Sequence, residues 1–122
     1  MGLRILIALA LLAAVGCSRA IPGAPAPPDP PTVVLESAQV TAGTVQLRWR
    51  VLDGHGLLFD VQRRHAEQMW KTRATLQPDA GGLLSLDDPA VTPGEPYSYR
   101  VKLPGAEAPT YAGAVTVDVP LQ

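Results

Sequence analysis

One cysteine, one phenylalanine and two tryptophans stand in 122 residues. A lone cysteine excludes an internal disulfide and any zinc site built on paired thiolates. A domain of this size must then hold together by its core alone. Excess charge of one sign is also missing, with ten basic residues against eleven acidic ones. That balance argues against nucleic acid, whose binding rests on clustered Lys and Arg. Catalytic signatures are absent too: no G-x-S-x-G, no glycine-rich phosphate loop, no H-E-x-x-H. His55 and His65 lie too far apart for neighbouring ligands on a helix face and read as exposed loop residues. Asp87 and Asp88 are adjacent, so on a strand they point to opposite faces and cannot share a proton. No catalytic residue, no metal and no dissociable cofactor are expected, and the chain is not read as an enzyme. Finally, there is no apolar run long enough to cross a bilayer. Ile5 through Val15 is free of charge and proline, but as a helix it rises only about 16 Å against a core of about 30 Å.

What is present begins at that run. Arg4 followed by Ile5–Val15 has the layout of a secretory signal. The small residues Ala14 and Gly16 suit cleavage, and Cys17 follows at once. "AVGC" resembles the lipobox of bacterial lipoproteins, in which the cysteine thiol receives a diacylglycerol and becomes the first residue of the mature chain. The resemblance implies residues 1–16 as signal peptide, a covalent lipid on Cys17, and a membrane-anchored product. Each buried methylene of such an anchor contributes about 0.8 kcal/mol. Ser18, where an aspartate would favour inner-membrane retention, points to the outer membrane facing the periplasm. Cleavage removes Arg4 alone among the charges, leaving nine basic against eleven acidic residues.

Prolines at 22, 25, 27, 28, 30 and 31 follow. They support neither a helix nor a central strand. Residues 17–31 thus read as the lipidated end and a semi-rigid tether, with a reach of about 40 Å at about 3.1 Å per residue.

From Thr32 to Pro120 the pattern changes to short alternating runs separated by turns. "TVQLRWRVL" (44–52) sets Val45, Leu47, Trp49 and Val51 against Gln46, Arg48 and Arg50. "LLFDVQRR" (57–64) sets Leu57, Phe59 and Val61 against Asp60, Gln62 and Arg64. "YSYRVKL" (97–103) sets Tyr97, Tyr99, Val101 and Leu103 against Ser98, Arg100 and Lys102. Runs at 32–40, 69–76, 83–88 and 110–119 complete about seven strands, and no segment has a convincing helical period. This predicts an all-β two-sheet sandwich.

The runs "VQLRWRV", "FDVQRR" and "VTPGEPYSYRV" resemble the strand signatures of fibronectin type III domains. Trp49, Phe59, Val61, Arg64, Val91, Pro93, Tyr97, Tyr99 and Val101 occupy corresponding places. Val91, Glu95 and Tyr99 depart from the usual residues. The resemblance implies a seven-stranded immunoglobulin-like β-sandwich over about 32–120, with the first, second and fifth strands in one sheet and the rest in the other. It gives Trp49 a core role. It gives Tyr97 the role of a tyrosine corner, its hydroxyl bonding backbone a few residues upstream, and gives Trp70 a precedent as core.

The outward phases hold the candidate binding residues. Arg64, Arg100 and Lys102, with Lys71 or Arg73, are expected to share one sheet face, partly offset by Asp60. Such charges also keep a face soluble and discourage edge pairing. Among the aromatics only Trp70 and Tyr111 are left unassigned to the interior, which gives little support to a sugar platform. The expected function is a non-catalytic interaction or scaffolding module held at the membrane by its lipid. Its partner is an envelope protein whose identity the sequence does not give, bound most economically by strand addition at an open edge. Two other readings are a module that binds envelope polysaccharide or lipopolysaccharide through the basic face, and an accessory subunit of an envelope enzyme complex.

Overall fold

The computed structural model describes residues 30–121. The signal segment, Cys17 and residues 17–29 of the tether lie outside the described residues. Seven strands follow in order: β1 (Thr32–Thr41), β2 (Thr44–Leu52), β3 (Phe59–His65), β4 (Lys71–Leu76), β5 (Leu83–Asp88), β6 (Pro96–Lys102) and β7 (Tyr111–Asp118). They form a three-stranded sheet in the order β1-β2-β5 and a four-stranded sheet in the order β4-β3-β6-β7. All pairings are antiparallel. The result is an all-β immunoglobulin-like sandwich with the expected division of strands.

Alternation produces the two layers. Val45, Leu47, Trp49 and Val51 of β2 face Phe59, Val61, Tyr97, Tyr99 and Val101 of the other sheet, and all are buried. Trp49 is fully buried and its Nε1 donates to the Gly113 carbonyl at 2.9 Å, tying the sheets together. At the other turn of the core, Thr92 N donates to the Tyr97 hydroxyl at 2.8 Å.

Leu57 departs from the expected pattern. The Gly54–Gly56 turn continues past it, with Leu57 N bonded to Gly54 O, so β3 starts only at Phe59 and Leu57 is exposed. His65 also departs. It closes β3, half-buried, with its ring stacked on Tyr97 at 4.7 Å and its Nε2 2.9 Å from Glu95 Oε1. A loop position does not describe it; His55 does lie exposed in the loop.

The register defines two ends. Thr32 pairs with Leu52, and Phe59 with Leu76, at the end where β1 begins. Thr41 pairs with Thr44, His65 with Tyr97, and Pro96 with Asp118, at the opposite end. The strands are 6 to 10 residues long, which separates the two ends by roughly 20–30 Å at about 3.3 Å per residue.

Each of three edge strands carries one extra residue. Glu36 is the extra residue of β1, Arg73 that of β4, and β7 widens at Gly113–Ala114 opposite Arg100. Each bulge has a use. Glu36 reaches back to Arg50 at 2.7 Å, Arg73 turns inward to Asp88 at 3.1 Å, and Gly113 offers its carbonyl to Trp49. Bulges of this kind break the flat ladder that another strand would copy.

Candidate functional site

The outer face of the four-stranded sheet is built by the register of β3 and β6. Asp60 stands opposite Lys102, Gln62 opposite Arg100, and Arg64 opposite Ser98. Arg100 Nε donates to Gln62 Oε1 at 2.7 Å, which fixes its side chain across the strands. Trp70, just before β4, lies on this same face. The guanidinium carbons of Arg100 and Arg64 sit 4.2 Å and 4.9 Å from its ring centre. Arg100 lies also over Tyr111 of β7, at 3.5 Å. Two aromatic rings thus contact two arginines on the outer face of the sheet. Each ring–cation contact contributes about 0.5–1 kcal/mol at an exposed site.

Of the three residues expected to bind, the structure joins Arg64 and Arg100 at Trp70. Lys102 shares the face but stands beside Asp60 and Tyr111, its neighbours in the register. Asp60 is itself occupied, accepting the Thr75 hydroxyl at 2.7 Å. Arg73 and Lys71 do not join the face. The β4 bulge turns Arg73 inward to Asp88, and Lys71 pairs opposite Arg63 on the inward phase. Trp70 is not core, because β4 begins one residue later, at Lys71, and leaves the indole outside the sandwich, half-exposed.

A second polar cluster lies between the sheets. Asp88 closes β5 with no exposed surface. Its Oδ2 accepts from Arg63 Nη1 and from the Tyr99 hydroxyl, each at 2.8 Å. Its Oδ1 accepts from Arg73 and from Ala90 N, each at 3.1 Å. Burial alone would push the Asp88 carboxyl up; the donors from Tyr99, Arg63 and Ala90 outweigh it and hold the group below the usual carboxylate range. Burial, then the bond to Asp88, pushes the Tyr99 hydroxyl well above the usual tyrosine range. Asp87, the adjacent residue, faces outward to Arg48 at 3.0 Å. Sequence reasoning singled out neither Arg63 nor Tyr99 as a partner of Asp88. The signal was there: Phe59, Val61 and Arg63 share one phase, as do Leu84, Leu86 and Asp88. An inward cation and an inward anion on facing sheets must meet.

Chemically, the outer face offers stacked guanidinium groups whose edges carry N–H donors, suited to carboxylate or phosphate. Among the described residues no group of three His, Cys, Asp or Glu side chains is placed to hold a metal ion.

No family model matches the chain. No curated protein matches it. Among solved structures, one titled "Myokine structure" is similar at 16% identity, over 78% of this chain and 99% of that one, with a TM-score of 0.49.

Proposed function

We propose that this chain is a lipid-anchored, non-catalytic interaction module of the bacterial envelope, and that it presents the outer face of its four-stranded sheet to a protein partner. The observation that carries this reading is the stack of Arg64, Trp70, Arg100 and Tyr111. Tryptophan, tyrosine and arginine are the side chains that most often dominate a binding surface, because they offer large contact area and directed donors. The edges offer less. Three of the four edge strands are bulged, which disfavours strand addition and leaves the face as the working surface. Anchorage rests on the position of Cys17 after a short apolar run.

The test uses the full chain in intact cells. Cross-linking followed by membrane solubilisation should recover a specific partner with the unaltered protein. The pair Arg64→Glu and Arg100→Glu should lose it, while Ser85→Pro in β5, the unbulged edge strand, with its fold checked by circular dichroism, should keep it. The opposite pattern would return the binding to the edge. Cys17→Ser should move the protein out of the membrane fraction; unchanged fractionation and processing would remove the lipid from the account.

The basic face also favours the reading as a polysaccharide or lipopolysaccharide binder, since Trp70 and Tyr111 stand beside arginines on an open surface. Under that reading the recovered partner is a glycan, and its capture weakens steeply with salt.

A further inference from the structure

At the end of the sandwich away from the start of β1, a hollow of about 200 Å³ opens beside the β3–β4 turn. Arg63, Arg64, Lys71 and Arg73 all line it, with His65 and Thr72. We propose that this hollow is a binding site for a phosphate monoester dianion.

Charge bookkeeping carries the argument. The one carboxylate bonded to these four cations is Asp88, and it is shared. One oxygen is taken by Arg63 and Tyr99, the other by Arg73 and Ala90 N. A single negative charge therefore stands against two guanidinium groups. Arg64 and Lys71 add two more positive charges, and neither forms an ion pair among the described residues. Arg64 Nε is covered from solvent and has no acceptor among the described residues. With Asp88 counted against Arg63, Arg64, Lys71 and Arg73, the hollow keeps an excess of three positive charges, while Glu95 is turned to the lining His65 at 2.9 Å. A doubly charged oxyanion offsets most of that excess, and guanidinium groups match its oxygens in pairs. A carboxylate offers one charge and fewer oxygens, so it fits less well.

The site is separate from the choice between a protein and a glycan partner on the sheet face. Arg64 links the two, since it reaches both the hollow and the Trp70 ring.

The experiment titrates inorganic phosphate, at constant ionic strength against chloride, into the isotopically labelled full chain in neutral detergent micelles. Saturable shifts are expected at the amides of Lys71, Thr72 and Arg73 and not at Lys102. Lys71→Gln and Arg64→Gln should each weaken binding at least ten-fold, with Lys102→Gln unchanged; near-ultraviolet circular dichroism checks that the fold persists. Vesicles carrying phosphatidic acid, compared with phosphatidylcholine alone, distinguish the source. Binding to the former, lost in the same two variants, assigns the phosphate to a lipid headgroup; binding of inorganic phosphate only assigns it to a free ion or a soluble ester. Shifts that do not saturate, or equal affinity in Lys71→Gln and Arg64→Gln, would overturn the site.

Discussion

Asp88 shows how much one side chain can decide. Its carboxylate, wholly enclosed, draws together β3, β4, β5 and β6 through Arg63, Arg73 and Tyr99. The native state holds the group ionised more strongly than the unfolded chain does. Its contribution to stability is therefore complete above the unfolded value of about 3.9 and is lost as pH falls through the lower native value. Asp88→Asn should lower stability at neutral pH by about 3–5 kcal/mol, because it leaves two guanidinium groups without their anion. Urea unfolding at pH 7 and at pH 2 should show the gap between the two proteins narrowing in acid. A gap that is the same at both would disconnect the carboxylate's charge from its role. This cluster was half legible in the sequence. Alternation put Asp87 and Asp88 on opposite faces, as observed, but Arg63 was hidden beside Arg64. Two adjacent arginines look alike in composition; only the phase set by Phe59 and Val61 sends one inward and the other out.

At the scale of the strand, period-two patterning is strong where both residue classes are present. β2 and β6 were legible for that reason, with four and three buried residues respectively alternating against polar ones. The extra residues were not legible, because a bulge shifts the register without altering composition. That shift is why Arg73 and Lys71 were expected on the outer face and are not there. Gly113 is the bulge most exposed to test. Its φ is +64°, and an added Cβ would come within 2.6 Å of Trp49 Cδ1 and Nε1. Left-handed backbone costs a non-glycine residue about 1–2 kcal/mol, and overpacking adds about 1–3. Gly113→Ala should therefore destabilise by about 2–5 kcal/mol in chemical unfolding, and it should shift the Trp49 emission. An effect below about 1 kcal/mol would mean that β7 relaxes without the bulge. The outer-face stack was illegible for a related reason. Trp70, Arg100 and Tyr111 come from three separate segments, and only the register places them together.

Across the whole molecule, the division into sheets followed from strand count, strand spacing and the resemblance of three runs. The core is one continuous cluster from Val33 to Val119, drawn from both sheets. With the sheets joined by Trp49 to Gly113 and by the Asp88 cluster, neither layer has a separate interior to keep it folded. Backbone ellipticity and the near-ultraviolet signal of Trp49 should melt at the same temperature, with Trp70→Phe used to isolate the buried indole. Two separated transitions would show that one sheet outlives the other.

The sandwich begins β1 at one end and finishes β7 at the other, with β1 and β7 side by side and pointing the same way. Under the proposed anchorage, a load between the base of β1 and the far end of β7 would run along these strands. It would strain their cross-strand rungs together in shear instead of peeling them apart in succession. Rungs loaded in shear must break together, so under the proposed anchorage the sandwich should resist a pull along its strands better than a pull across them.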